Sequence, residues 1–163
     1  MSFRVLILGG YGNFGARITR RLAQDAMIEV IIAGKNREQA RSYAEQLNRE
    51  VPHARATAIT CDLQQPSSLL AAIQQTQCQL VINTVGPFQQ HDFCVAATVI
   101  TAGVYYLDLA DARDYVSRFK QLDQLAQTHK VLAVTGASTV PGLSAAVIDH
   151  FLSRAGHFHH SLA

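Results

Sequence analysis

The sequence has few cysteines and no apolar run of membrane length. Of its 163 residues only three are cysteines, namely Cys61, Cys78 and Cys94. An odd number of cysteines without a C-x-x-C pair indicates neither a disulfide framework nor a zinc site. The apolar run at the N-terminus is too brief for the core of a signal peptide, and no other run reaches the length of a membrane helix. We therefore predict a protein of the reducing cytoplasm that has no membrane partner.

Neither sign of charge dominates. The chain carries 14 basic and 12 acidic residues, a net charge of +2 at pH 7, with no basic stripe and no acidic tail. This balance argues against nucleic acid as a partner. His157, His159 and His160 lie together near the end of the sequence, but a polar terminus explains them more simply than a metal cluster does. No metal site is predicted.

The most informative segment that is present is a glycine-rich turn after an apolar run. The run contains Phe3, Val5 and Ile7, and an amphipathic helix is predicted to begin near Gly12. The turn itself comprises Gly9, Gly10, Tyr11, Gly12, Asn13 and Phe14. Gly10, Gly12 and Gly15 have the G-x-G-x-x-G spacing of dinucleotide-binding domains.

In such a turn the missing Cβ atoms allow the tight bend, the approach of a pyrophosphate and close packing of helix on strand. The amides of residues 12–14 are then expected to be free and to point at the anion. Gly9, Gly12 and Gly15 also fit a G-x-x-G-x-x-G spacing, so the subclass stays open. A turn that only packs a helix on a strand is the alternative.

Strands and helices are predicted to alternate along the rest of the chain. Further strands are expected at residues 29–33, 56–61, 80–83, 104–107 and 131–134. Helices are expected at 37–48, from residue 66, and at 92–102, 113–128 and 141–153. The hydrophobic content of 48% suits a buried sheet covered by helices. This pattern predicts an α/β fold, a doubly wound parallel sheet of the Rossmann dinucleotide-binding type, as one domain over residues 1–163.

The turn after the second strand indicates the cofactor. NAD-binding domains carry an acidic residue there, which bonds the adenosine ribose and repels a 2′-phosphate. This chain has instead Gly34, Lys35, Asn36 and Arg37. Two cations and an amide suit a phosphate, so we predict NADP, with NAD less favoured. The alternative is that Lys35 and Arg37 only solvate the start of a helix.

Two further strand ends supply the remaining candidate contacts. Asp62 is expected to accept a hydrogen bond from the adenine amino group and Leu63 to cover the base, although a helix cap before Pro66 is nearly as good an explanation for Asp62. At the end of the fourth strand the nicotinamide half is expected to lie against Thr84, Val85, Gly86 and Pro87. A plain strand-ending turn is the alternative at that place.

No catalytic residue is assigned. The Tyr-x-x-x-Lys pair of short-chain dehydrogenases is absent, because no tyrosine has a lysine four residues later. His91 has a suitable side chain for acid–base chemistry, but a solvent-facing position at a helix start is the simpler interpretation. Tyr106 and Asp108 are candidates for hydrogen bonds to a substrate, and ordinary strand packing is the alternative for the tyrosine.

Five segments in order, VLILGGYGNFG, AGKNR, VINTVGPFQQ, AGVYYLDLAD and GASTVPGLS, resemble the saccharopine dehydrogenase family, specifically its NADP-binding domain. By position, the resemblance implies a pyrophosphate site at Gly10, Gly12, Asn13 and Phe14, a ribose site at Lys35 and Arg37, and a nicotinamide site at Gly86 and Pro87. It also implies that Asp108 faces the same crevice.

The resemblance further implies an oxidoreductase that moves a hydride between the nicotinamide and an imine or amino-acid-type substrate. In full-length members a second domain supplies substrate contacts and often the dimer interface, which makes a homodimer an expectation. Nothing in this chain matches that second domain. The alternative hypotheses are a non-catalytic dinucleotide-sensing or interaction module and a fragment that requires a partner chain.

Overall fold

The computed structural model describes residues 2–86, 88 and 92–154. Pro87, His91 and the three histidines at 157, 159 and 160, all considered above, lie outside the described residues.

A parallel sheet organises the described chain. Its strands are β1 (Phe3–Leu8), β2 (Ile28–Gly34), β3 (Ala56–Thr60), β4 (Leu80–Asn83), β5 (Tyr105–Asp108) and β6 (Ala133–Val134). They lie in the order β3-β2-β1-β4-β5-β6, and every neighbouring pair is parallel. Because the order reverses between β1 and β4, a crevice opens at the carboxyl ends of these two strands. The predicted doubly wound Rossmann sheet is confirmed.

The central strands are apolar on both faces because helices cover both faces. Successive side chains of β1 alternate between two core clusters, with Leu6 in one cluster and Val5 and Ile7 in the other. All three are at most 1% exposed. Such double burial explains why the strand sequences are continuous apolar runs rather than alternating ones.

The helices that cover the sheet begin and end as follows. They are α1 (Asn13–Leu22), α2 (Arg37–Glu50), α3 (Pro66–Thr76), α4 (Cys94–Thr101), α5 (Arg113–Arg118), α6 (Asp123–His129) and α7 (Ser144–Arg154). The side chain of Asn36 caps α2 by accepting the Gln39 N–H at 3.0 Å. Pro66 occupies the first turn of α3, where its missing N–H is not needed.

Two predicted helices have a different form. The single helix expected over residues 113–128 is wrong, because a 3₁₀ turn at Phe119–Leu122 separates α5 from α6. Phe119 is buried there and packs on Phe93 and Tyr106. The last predicted helix starts as a π-helical turn, Thr139–Leu143, before α7. The apolar side of α7 is exposed to solvent, and the exposed fraction of Phe151 is 66%.

None of the helices in the described part of the chain combines the length and the apolar character that a bilayer crossing requires.

Candidate dinucleotide site

The glycine-rich turn between β1 and α1 is tightly built. Gly9 has a φ of +73°, a conformation that favours glycine, and a Cβ on this residue would lie 2.9 Å from a methyl carbon of Val85. A Cβ on Gly15 would lie 2.1 Å from the Gly9 carbonyl oxygen and 2.7 Å from the Thr84 hydroxyl. Gly9 therefore makes the bend, and Gly15 allows α1 to touch the strand ends. At Gly12 a Cβ would meet only the Gly9 carbonyl oxygen, in a tight contact of 3.1 Å, and Gly12 lines the smaller of the cavities described below.

The amides at this corner are only partly available to a ligand. The sequence predicted free N–H groups at residues 12–14, and this is wrong for Gly12, whose N–H donates to the Gly9 carbonyl oxygen at 2.8 Å. Asn13 and Phe14 open α1, and within residues 2–86 no backbone acceptor satisfies their N–H groups. No acidic side chain lies in the first turn of α1, so the positive end of the helix is left uncompensated.

The hydroxyl groups of two threonines stabilise the glycine-rich turn through hydrogen bonds to backbone carbonyl oxygens. The Thr19 hydroxyl lies 2.9 Å from the Gly10 carbonyl oxygen and 2.7 Å from that of Gly15, and Thr19 is fully buried. The Thr84 hydroxyl donates to the Leu8 carbonyl oxygen at 2.8 Å. Sequence reasoning missed Thr19, although a polar residue among the apolar positions of an amphipathic helix was a signal for a buried hydrogen bond.

Two cavities lie on either side of this corner. The smaller, of about 270 Å³, is lined at the β2 side by Tyr11, Gly34, Lys35 and Leu63, with Gly9, Gly12 and Val85 at its inner end. The larger, of about 650 Å³, is lined by Phe14, Thr84, Gly86, Asp111, Ser138 and Thr139 among others. Thr84 and Val85 thus face different cavities, and the glycine corner lies between the two. A further cavity of about 930 Å³ lies between α3 and α4 and shares no lining residue with these.

The turn after β2 brings a phenol and a cation to the smaller cavity. The Tyr11 ring lies so close to Gly34 that a Cβ there would come within 2.4 Å of the ring. The Tyr11 hydroxyl accepts the Asn36 N–H at 3.1 Å, which leaves its own proton free to donate. Lys35 Nζ lies 3.0 Å from Asp62 Oδ1. Arg37 makes no ion pair among the described residues.

Asp62 is held by its own loop as well as by Lys35. Its Oδ1 accepts the Gln64 N–H at 3.0 Å, and its N–H donates to the Ser68 hydroxyl at 3.0 Å. The Gln64 N–H, together with the hydrogen bond and charge of Lys35, lowers the pKa of the Asp62 carboxyl below its ordinary value. The alternative of a helix cap is wrong for this residue, because the N-cap of α3 is Gln65.

Asp108 lies behind the larger cavity rather than in it. The expectation that it faces the crevice is wrong, since it is 0% exposed, while Leu109 and Asp111 line the cavity. Its Oδ1 accepts hydrogen bonds from the Ala110 N–H, the Thr135 hydroxyl and the Gly136 N–H, at 3.0, 2.8 and 3.1 Å. Asp108 thereby ties the loop after β5 to the loop after β6.

The two tyrosines near Asp108 belong to the core. Tyr106 is 1% exposed, and its hydroxyl accepts from Asn83 Nδ2 at 3.2 Å, so it does not reach a substrate. Burial, and next the charge of Asp108, raise the pKa of Tyr115 to about 12. The same causes raise the pKa of Tyr106 well above its ordinary value. Both phenols are therefore neutral packing groups at physiological pH.

The strand order, the corner with its free amides and the paired cavities define a dinucleotide-binding Rossmann domain. Residues 5–136 match the family described as the saccharopine dehydrogenase NADP binding domain, and the chain belongs to this family. The predicted resemblance is confirmed, and so is the predicted cofactor, NADP.

Curated relatives share part of the chain. A probable mitochondrial saccharopine dehydrogenase-like oxidoreductase of Arabidopsis thaliana is 27% identical over 126 residues, which cover 72% of this chain and 27% of that protein. A trans-acting enoyl reductase of Mycobacterium ulcerans is 27% identical over 141 residues, covering 85% of this chain and 31% of the relative. This chain therefore spans less than a third of the length of either relative.

Solved structures share the fold. Apo saccharopine dehydrogenase (L-Glu forming) of Saccharomyces cerevisiae superposes with a TM-score of 0.71 at 20% identity, over 95% of this chain and 32% of the yeast chain. A variant actinorhodin polyketide ketoreductase with NADPH superposes with a TM-score of 0.59 at 19% identity, over 96% of this chain and 78% of the other.

Proposed function

We propose that this chain is the cofactor-binding domain of an oxidoreductase that transfers a hydride between NADP(H) and an imine or amino-acid-type substrate. The observation that carries the proposal is the pair of cavities on either side of one glycine corner, with Lys35 in the lining of the smaller cavity. A dinucleotide has the matching arrangement of two nucleoside halves joined by a pyrophosphate. The substrate class rests on the names of the saccharopine dehydrogenase relatives.

The corner fits a pyrophosphate through backbone groups. The N–H groups of Asn13 and Phe14 are unpaired within this part of the chain, and they lie at the positive end of α1. Gly12 presents no side chain toward the approach, whereas Gly9, Gly10 and Gly15 are used to build the corner. Binding therefore depends on the backbone rather than on a charged side chain.

The smaller cavity fits the adenosine half. Leu63 and Val85 supply apolar walls for a base, and Lys35 lies at the cavity beside the start of α2. The Tyr11 hydroxyl has a proton to donate, and Arg37, the first residue of α2, lies two residues after Lys35 in the sequence. Lys35 and Arg37 thus provide the positive charge that a 2′-phosphate requires.

The larger cavity fits the nicotinamide half and a substrate. When bound, NADP supplies the hydride chemistry, and the residues of this chain hold and orient it. Phe14, Thr84 and Gly86 line the cavity next to the corner. Leu109 and Asp111 come from the loop that Asp108 fixes, and Ser138 and Thr139 follow the loop held by Thr135 and Gly136. The position of Pro87 at this end remains an expectation from the sequence.

Calorimetric titration with NADP and NAD tests the binding site. We expect NADP to bind more tightly, and we expect Lys35→Gln and Arg37→Gln each to weaken NADP by about 10-fold while changing NAD by less than about 2-fold. Lys120→Gln, an exposed lysine away from both cavities, is the matched control. Equal affinities of the wild type for both nucleotides would remove the assignment of the turn after β2 to a 2′-phosphate.

Turnover is tested separately. NADPH oxidation is followed with a panel of imines formed from amino acids, and with an enoyl thioester because one relative is named an enoyl reductase. Tight NADPH binding without turnover of any substrate would favour the alternative of a dinucleotide-binding module or a domain that acts with another chain. The single domain over residues 1–163, a homodimer and a cytoplasmic location stay predictions.

A further inference from the structure

The ion pair between Lys35 and Asp62 is built into the sheet edge. The two residues follow β2 and β3, which are parallel neighbours, and the pairing continues past the strands through the Cys61 N–H, which donates to the Gly34 carbonyl oxygen at 3.0 Å. This register places Lys35 Nζ 3.0 Å from Asp62 Oδ1. Strand register therefore brings these two side chains within reach of each other.

Asp62 is held in position more firmly than Lys35 is. Asp62 is fixed by its own loop through the Gln64 N–H and the Ser68 hydroxyl, both at 3.0 Å. Lys35 is 57% exposed on a flexible four-carbon stem, and Asp62 is 30% exposed. A phosphate that recruits Lys35 must therefore draw the ammonium from a carboxylate that stays in place.

We propose that Asp62 is a specificity-determining residue that restrains the preference for NADP by competing for Lys35 with the 2′-phosphate. This inference rests on the proposed dinucleotide site. NAD carries a neutral 2′-hydroxyl instead of the phosphate and does not need the Lys35 ammonium for binding. Asp62 therefore does not compete with NAD for Lys35. Asp62 thus acts on the ratio of the two affinities rather than on dinucleotide binding as such.

The opposite effect, in which Asp62 helps NADP by holding Lys35 in position, is the weaker of the two. An ion pair as exposed as this one restrains a lysine only slightly. Against that, Asp62 stays in place when a phosphate binds Lys35, so the phosphate shares the ammonium with a carboxylate and gains only part of its attraction. Loss of the competition therefore outweighs loss of positioning.

The test is a pair of titrations with Asp62→Asn. Asparagine keeps an oxygen that accepts the Gln64 N–H and any hydrogen bond from an adenine amino group, so it removes the charge with little change of shape. We expect NADP affinity to rise by about 2- to 5-fold and NAD affinity to change by less than about 2-fold. Asp62→Ser removes the same charge by a different side chain and is expected to shift the ratio in the same direction.

Two controls isolate the mechanism. Glu50→Gln removes a carboxylate from an ion pair of similar exposure, with Arg20 at 2.7 Å, at the far end of α2, and is expected to leave the ratio unchanged. In a Lys35→Gln background the gain from Asp62→Asn is expected to shrink to less than about 2-fold, because the ammonium for which Asp62 competes is gone.

An unchanged or lower ratio of NADP to NAD affinity in Asp62→Asn would overturn the inference, as would an equal gain with and without Lys35. In these cases the wild type still binds both nucleotides, so the proposed site stands. A wild type that binds neither nucleotide would overturn the proposed site and the inference together.

Discussion

At the scale of single residues, the glycines of the turn between β1 and α1 have different structural roles. Gly9 takes the positive φ, and Gly15 lets α1 contact the Gly9 carbonyl group and Thr84. Gly12 lines the smaller cavity, and a Cβ there would contact only the Gly9 carbonyl oxygen, at 3.1 Å. The spacing of the motif shows that glycines are needed, but the contacts show what each of them is needed for.

Alanine substitutions distinguish a glycine needed for stability from one needed for NADP binding. Gly15→Ala would force a methyl group to 2.1 Å from a backbone oxygen, and we expect the free energy of unfolding to fall by about 2–4 kcal/mol. Gly12→Ala is expected to change it by less than about 1 kcal/mol but to weaken NADP by at least about 10-fold. Urea unfolding and calorimetric titration of both variants measure the two effects.

Gly103→Ala provides the control for backbone conformation alone. Gly103 has a φ of +73°, as Gly9 does, but a Cβ there would meet nothing within 4 Å. A loss of about 1–2 kcal/mol without loss of NADP affinity is expected. If Gly12→Ala binds NADP as tightly as the wild type, the pyrophosphate does not lie on this turn.

At the scale of elements, the carboxyl ends of β5 and β6 are joined through a buried carboxylate. Asp108 holds the loops after both strands, and Tyr115 of α5 packs nearby against Phe93 and Phe119. The elements that surround the larger cavity are thus positioned by one side chain and an aromatic cluster.

The buried phenol of Tyr115 makes stability depend on pH in the alkaline range. Its folded pKa is about 12, against 10.0 for an exposed tyrosine, so the unfolded chain releases this proton first as the pH rises. The free energy of unfolding is therefore expected to fall between pH 10 and pH 12, by up to about 2 kcal/mol from this residue.

Urea unfolding of the wild type and Tyr115→Phe over this pH range measures the contribution. The variant is expected to show a shallower decline, with a remainder from Tyr106. Ser117→Ala, on the exposed side of α5, is expected to keep the full decline. Identical declines in wild type and Tyr115→Phe would contradict the assignment.

At the scale of the whole molecule, a cofactor that binds only the folded chain must stabilise it. With NADP present at about 100 times its Kd the expected gain is about 2.7 kcal/mol, which corresponds to a rise in Tm of roughly 5–10 °C for a chain of this size. Thermal unfolding followed by circular dichroism measures it. At equal concentrations NAD is expected to give a smaller rise, and equal rises would contradict a preference for NADP.

Local patterns determined the order of the elements and the type of sheet. Continuous apolar runs predicted doubly covered strands, and β4 is found as predicted at Leu80–Asn83. The predicted helix at 113–128 was wrong because the interruption at Phe119 comes from packing among aromatic rings on separate elements. Helical periodicity contains no information about such distant contacts.

The sequence by itself determined the Rossmann class, the glycine corner and the cationic turn, because each depends on residues that are neighbours in the chain. Only the tertiary structure decided that Asp108 is buried and that Asp62 pairs with Lys35. These facts depend on which strand ends come to lie side by side. Strand order and register bring together residues far apart in sequence, and that is why the site's charges could be named from the sequence but not paired.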